Sequence, residues 1–314
     1  MKSRFLFTVV VLLFMHLRAG AQLTYETLRV EYDSAWTFRN LQLIPVRFKA
    51  PGAKPVAEKS GPKYISLPEA IEKGKVKVRE MQSKDGASVN SLEMVNTSKD
   101  YVLVNSGELL AGGKQDRMIS ETRILPPGKE TSYVDVFCIE KGRWDAKPKG
   151  FKNNGKADYS LKKVMDVSGR QSEVWKEIQR QFSSENKVSE TWPYLALQRN
   201  KLPVDPDYVK FFTSMYKASD SLFAGFVAIT GNRIISCELF ASTDMTNLSF
   251  GSMLQGFISQ AVKAGSPPVM KREATRQFMD KLLENETTQK AFVAGRGKID
   301  RHEGKVIHIV VYGD

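Results

Sequence analysis

The way hydrophobic periodicity changes along the 314-residue chain predicts an α+β fold, with a β-rich N-terminal half and a C-terminal half that mixes helices with a small antiparallel sheet. Three observations carry this reading. Strand-like period-two runs crowd the first half. Phe250, Met253, Leu254, Phe257, Ile258 and Ala261 recur at helical spacing in the second. Between those regions LFAGFVAIT and RIISCELF flank Gly231-Asn232, a two-residue composition suited to a tight hairpin turn.

In the first half, Leu28–Tyr32, Leu41–Phe48, Val76–Met81, Ser91–Val95 and Tyr101–Asn105 read as strands. One short helix interrupts them. Ser66 at its N-cap and Glu69 three residues later form a capping box, Pro68 is tolerated in the first turn, and Gly74 stops it. Pro126-Pro127-Gly128-Lys129 reads as a type II turn, because proline presets the second position and glycine accepts the positive φ of the third. Met118–Leu125 and Tyr133–Ile139 are therefore expected to pair as a hairpin. Both faces of the second strand are apolar, which places it centrally in its sheet.

The second half opens with a helix over Ser168–Phe182, where Val174, Trp175, Ile178 and Phe182 share a face and make Trp175 a core residue. The Gly231-Asn232 hairpin follows, then the long apolar-striped helix, capped by Thr243 or Asp244 and ended by Gly265 and Pro267-Pro268. A further helix over Lys271–Leu283 presents Ala274, Phe278 and Leu282, and Lys305–Tyr312 makes the last strand.

The first 21 residues read as a signal peptide. Lys2 and Arg4 precede an apolar run from Phe5 to Leu17, and Ala19-Gly20-Ala21 is a small-residue cleavage site. Cleavage between Ala21 and Gln22 would leave an exported protein, periplasmic or extracellular. No later stretch reaches the roughly 20 apolar residues of a membrane span, so the mature chain is expected to have none. The expected organisation is residues 1–21 as signal peptide, 22–146 as the β-rich half, 147–167 as a basic loop or linker, and 168–314 as the α+β half.

Formal net charge is +12 for the whole chain, and much of it is local. Between Lys141 and Lys163 eight basic residues meet only Asp145 and Asp158, among glycines, asparagines and Pro148. Such a run is a solvated linker, or a surface that meets an anion or an acidic glycan. No nucleic acid is expected as a partner. Cys138 and Cys237 are the only cysteines. Export would permit a bridge, but both lie inside apolar strand-like runs where a buried free thiol packs well. Only His302 and His308 follow the signal segment, and no C-x-x-C or H-E-x-x-H spacing exists, so no metal site is expected. His308, alternating with Ile307, Ile309 and Val311, reads as a packed or surface histidine.

The stretch GELLAGGKQDR followed by CIEKGRW concentrates the candidate ligand-binding residues: Glu108, Gly112, Gly113, Lys114, Gln115, Arg117, Glu140, Arg143 and Trp144. Consecutive glycines let a backbone approach a ligand closely and aim several N–H groups into one concavity, and Lys114 and Arg117 add positive charge. A P-loop is excluded: Gly113 intervenes before Lys114, and Gln115 stands where Ser or Thr should hold magnesium. Glu108 lies in an otherwise apolar run and needs a partner once buried, for which Arg117 or Arg143 is a natural candidate. A Glu–Arg pair joining two strands explains Glu108, Glu140 and Arg143 without a ligand.

Taken with the proline-rich hairpin, SGRQSEVW and FVAITGNRIISCELFAS, these motifs resemble, in order and spacing from about Tyr64 to the C-terminus, the ARG and rhodanese-phosphatase-superfamily-associated protein domain. The resemblance implies a role near nucleotide or ADP-ribose chemistry, since the family is named for association with ADP-ribosylglycohydrolases and phosphatases. It implies no cofactor and no catalytic residue. Three expectations stand together: a module that binds or senses an anionic small molecule, a hydrolase using Glu108 or Glu140 as acid or base with Asp116 or Asp145, and an envelope protein binding acidic glycans through the basic loop.

Overall fold

A computed structural model describes residues 22–49, 63–83, 86–143, 149–198, 204–219 and 222–313. The expected signal peptide, Trp144 and Asp145 lie outside the described residues. In chain order the strands are β1 (Leu28–Val30), β2 (Trp36–Phe38), β3 (Leu41–Phe48), β4 (Tyr64–Ser66), β5 (Val76–Ser83), β6 (Gly86–Asn96), β7 (Tyr101–Val104) and β8 (Glu108–Gly113). There follow β9 (Arg117–Ile119), β10 (Arg123–Leu125), β11 (Thr131–Cys138), β12 (Lys149–Lys156), β13 (Phe223–Thr230), β14 (Arg233–Phe240), β15 (Gly297–His302) and β16 (Lys305–Tyr312). The helices are α1 (Leu67–Glu72), α2 (Tyr159–Ser168), α3 (Gln171–Ser184), α4 (Tyr194–Gln198), α5 (Pro206–Ala218), α6 (Thr243–Ala264), α7 (Arg272–Leu283) and α8 (Glu286–Val293). The chain is thus of mixed α+β class. Among the described residues no helix is long and apolar enough to cross a membrane.

A seven-stranded antiparallel sheet runs β1-β3-β13-β14-β16-β15, with β2 also on β3. Every residue of β13 is buried, because helices cover both faces. Phe250, Met253, Leu254, Phe257, Ile258 and Ala261 of α6 pack one face with Phe226 and Ile235. Met279, Leu282 and Leu283 of α7 pack the other with Ile44, Val227 and Leu239. Since β3 of the first half is hydrogen-bonded to β13 of the second, this sheet draws on both halves of the chain.

A second sheet runs β12-β8-β9-β11-β6-β5, and its edge strands β5 and β12 come into contact, so it curls on itself. The three-stranded sheet β10-β7-β4 closes over it, burying Ile65, Val102, Val104 and Leu125 against Leu92, Leu110, Ile119 and Val136. The outer face of this small sheet gives Leu103 and Ile124 to the core beneath α6, which joins the two β layers.

Several expectations hold in detail. Ser66 Oγ accepts the Glu69 N–H at the start of α1, although the Glu69 carboxylate turns to Lys73 instead of closing the capping box. Gly231 takes φ 53° in a two-residue turn that pairs Thr230 with Arg233. Others change. The expected 118–125 strand is two strands: β9 pairs with β11, while β10 crosses to β7 in the other sheet. Thr122 breaks it, because its N–H and hydroxyl are drawn to Asp300 and His308. On β11 the Val134 and Val136 face is buried but Tyr133 is exposed. The cap of α6 is Ser242, whose hydroxyl accepts the Met245 N–H. The buried face of α7 is Thr275, Met279 and Leu282, leaving Ala274 to solvent. Of residues 147–167, expected to be a basic loop or linker, 149–156 form β12 and 159–167 lie in α2. Lys149 and Lys152 of β12 are exposed. Cys138 and Cys237 are both free and buried.

Candidate functional site

At the Gly-Gly turn, β8 ends with Gly112 and Gly113 at φ 114° and 59°, a backbone that side chains resist. A Cβ on Gly113 would lie 2.1 Å from the Phe151 ring, and one on Gly112 would lie 2.6 Å from the Gly150 carbonyl oxygen. The glycines therefore let β12 approach. Carboxylates take the N–H groups here: Gly112 donates to Asp116 Oδ1 at 2.8 Å and Lys114 to Glu80 Oε1 at 2.6 Å. Arg117 is fully buried, donates to Gln115 Oε1 at 3.1 Å, and faces Glu80 Oε2 at 3.6 Å. Arg143 binds Asp116 at 2.9 Å and also Glu140. The structure thus brings together Gly112, Gly113, Lys114, Gln115, Arg117, Glu140 and Arg143, bound to one another and to Glu80 and Asp116. Glu108 stands apart at the other end of β8, roughly 17 Å from Gly113 at the usual ~3.4 Å rise per strand residue.

The partner of Glu108 is neither Arg117 nor Arg143. It lies opposite Lys156 in the β8–β12 register and accepts a hydrogen bond from Asn105 Nδ2 at 3.4 Å, while its Oε2 has no partner. Burial pushes its carboxyl up to about 7 despite the opposing pull of Lys156 and the Asn105 hydrogen bonds. Lys156 donates to Ser252 Oγ of α6 at 2.7 Å, and burial lowers the pKa of its ammonium. Ser252 donates to the Ser249 carbonyl at 2.7 Å, and the Ser249 hydroxyl reaches Asn105 Oδ1 at 3.1 Å. A ring of polar groups therefore ties β8, β12 and α6 together.

Behind it lies a second network on the seven-stranded sheet. His308 on β16 holds Asp300 Oδ2 at 2.9 Å through Nδ1 and Glu238 Oε1 at 3.0 Å through Nε2. Burial alone would lower the histidine pKa, but two carboxylate hydrogen bonds raise it, so both nitrogens carry protons. Burial would likewise raise the acids. The charges of Lys162 and His308 hold Glu238 at about 2, and the His308 hydrogen bond and charge hold Asp300 there too. On α2, Lys162 pairs with Asp166 at 2.8 Å and stands 3.8 Å from Glu238. Asp166 also accepts from Tyr312 at 2.7 Å and from Ser106 at 3.0 Å. Lys298 lies 3.5 Å from Asp300.

The two networks meet beneath a cleft of about 900 Å³ lined by the start of α2, the end of α3, α6 and the strands below. Lys156, Lys162, Glu238, Ser252 and Tyr312 form part of its lining, and Arg180 and Lys263 add cationic groups. The volume is that of an ordinary small-molecule site. Among the described residues no group of three or more His, Cys, Asp or Glu could hold a metal ion, and His308 has no free nitrogen lone pair to offer one. Lys156 and Lys162 belong to the basic run between Lys141 and Lys163, whereas nothing in the sequence singled out Glu238 or Asp300, although a lone acid in an apolar strand, the signal that marks Glu108, also marks Glu238 in IISCELF.

The fold and the cleft define an α+β protein with a charged cleft between helices and the strands below them. The chain belongs to the ARG and Rhodanese-Phosphatase-superfamily-associated Protein domain family, whose sequence profile matches residues 29–311. No curated protein and no solved structure matches it.

Proposed function

We propose that this protein binds an anionic small molecule of nucleotide or ADP-ribose-like size in the cleft above Lys156 and Lys162. The observation that carries the reading is a pair of lysines built into the lining of a 900 Å³ cleft, with Arg180 and Lys263 on the same cavity. Lys162 is neutralised by Asp166 and Glu238, so it orients a ligand more than it attracts one. Arg180 is paired with Glu177. Lys263, exposed on α6, supplies the net attraction. The Gly-Gly turn serves this reading indirectly, by seating β12 and with it Lys156. Export, with Gln22 as the first mature residue, belongs to the same proposal.

A thermal-shift screen against ADP-ribose, nucleoside phosphates and sugar phosphates tests it. A ligand at about a hundred times its Kd adds roughly 2.7 kcal/mol of apparent stability. Lys263→Ala and Lys156→Met should each weaken the shift, and Lys114→Ala should leave it intact. Equal shifts in all four proteins, or none with any anion, would overturn the proposal.

The hydrolase reading keeps one supporting observation, the Glu108 carboxyl at about 7, a value suited to general acid and base work. Glu140 is tied to Arg143 and does not share that setting.

A further inference from the structure

Resting on the anionic-ligand reading, we propose that Lys156 is a nucleophilic amine that forms a Schiff base with an aldehyde or ketone carrying a carboxylate or phosphate in the cleft.

The geometry singles out this lysine. Lys162 has Asp166 at 2.8 Å and Lys298 has Asp300 at 3.5 Å as carboxylate partners. The partner of Lys156 is a neutral hydroxyl, and among the described residues no carboxylate lies within ion-pair reach of its Nζ. The charged groups that act on it are Glu108 from β8, Glu238 from β14 and Lys162 from α2. Desolvation outweighs the two acids and favours the free amine.

Ser252 is the other candidate nucleophile at this spot, with Lys156 as its base. Two observations exclude it. Its hydroxyl proton is committed to the Ser249 carbonyl at 2.7 Å, so it accepts from Lys156 and does not donate to it. It also sits in the middle of α6, where backbone N–H groups are used within the helix and cannot stabilise an oxyanion. A neutral Lys156 that donates one N–H to Ser252 keeps its lone pair for a bound carbonyl carbon.

The step balances without a further reactant. The Lys156 nitrogen attacks the carbonyl carbon, and one of its protons passes to the former carbonyl oxygen, giving a carbinolamine. Glu108, the cross-strand neighbour of Lys156, gives its proton to that hydroxyl, which leaves as water. The product is a protonated imine with the Glu108 carboxylate as counter-ion. Lys162, which lines the same cleft beside Lys156, receives the anionic group of a small substrate.

Reductive trapping tests the proposal. The protein is incubated with glyoxylate or with uncharged butyraldehyde in the presence of cyanoborohydride, from pH 6 to 10, and the adducts are counted by intact mass and located by peptide mapping. The expected first equivalent falls on Lys156 at least tenfold faster than on any other lysine, with a pH midpoint below the ordinary lysine value of about 10.4. Glu108→Gln should move that midpoint lower still, because it removes an anion that favours the ammonium form. Labelling spread over surface lysines with Lys156 unmodified in the folded wild-type protein overturns the proposal, whether or not anions shift its melting temperature. Labelling of Lys156 at equal rates by both aldehydes would uphold the amine and sink the anionic-ligand reading instead.

Discussion

Replacing Glu108 with glutamine should stabilise the protein relative to wild type by an amount that grows with pH. An ordinary glutamate titrates at 4.5 and Glu108 at about 7, because its side chain is buried. At about 1.4 kcal/mol for each tenfold change in proton affinity, that gap costs the folded state about 3 kcal/mol once the carboxyl is ionised in both states. A group whose folded pKa is raised contributes its full stability below the unfolded value and loses it as pH climbs through the folded one. The wild type should therefore have lost less than about 1 kcal/mol from this group at pH 5 and about 3 kcal/mol at pH 8. Glutamine cannot ionise, and it can still accept the Asn105 hydrogen bond. Urea unfolding at pH 5, 6.5 and 8 measures the difference directly, and melting temperatures should diverge by about 5 °C over the same range. A stability difference that stays constant across these pH values would refute the assignment of Glu108 as a buried acid held neutral by desolvation.

Gly113→Ala should destabilise the protein by roughly 1–3 kcal/mol in urea, because the new methyl meets Phe151 at 2.1 Å and the residue keeps φ 59°. Arg117→Met leaves Glu80 without its buried counter-charge and should cost about 3–5 kcal/mol, while Glu80→Gln together with Arg117→Met recovers part of that loss. Glu238→Gln should flatten the acid limb of the stability curve. The wild-type carboxylate, held at about 2, contributes about 3 kcal/mol that is present above pH 4.5 and is lost as pH falls towards 2, so equal acid sensitivity in the variant would count against the His308 and Lys162 contacts.

Much of the fold was legible because single residues leave strong local signals. Gly231-Asn232 could only turn a hairpin, and the stripe from Phe250 to Ala261 could only bury one face. The failures have a common physical cause, which is that tertiary partners override local pattern. Nothing in the composition of KGFKNNGK marks β12 as a strand; its conformation is set by pairing with β8, and that pairing needs two glycines some 36 residues earlier in the chain. Thr122 splits a strand because of Asp300 and His308, which arrive from the far end of the sequence. The candidate site divides the same way. Clustered charges at 112–117 and 140–143 were visible as a motif, and the structure joins them through Asp116, Glu80 and Glu140. The cleft residues Lys156, Lys162, Glu238 and Ser252 are scattered over β12, α2, β14 and α6, and no spacing along the chain brings them together.

Placing four acids, Glu108, Asp166, Glu238 and Asp300, against Lys156, Lys162 and His308 in the interior is an expensive way to join two β layers. Each buried ion carries a desolvation penalty of several kcal/mol, and well-packed apolar groups of similar volume often hold such a junction at equal or greater stability. The apolar alternative is present in this same molecule: Leu103 and Ile124 join the layers beneath α6 without charge. Three of these charged groups, Lys156, Lys162 and Glu238, line the cleft itself. Among them, His308 with Asp300 and Lys162 with Asp166 form closed pairs. Lys156 and Glu108 do not: burial shifts each towards its neutral form, and they face one another across β8 and β12. A scaffold that needed only cohesion would gain from converting both to apolar side chains. Lys156→Met with Glu108→Leu should accordingly leave the protein at least as stable as wild type at pH 8 while weakening ligand shifts and abolishing amine trapping at this site. A large loss of stability in that double variant would mean that the polar ring holds the layers together, and the argument from its cost would fail.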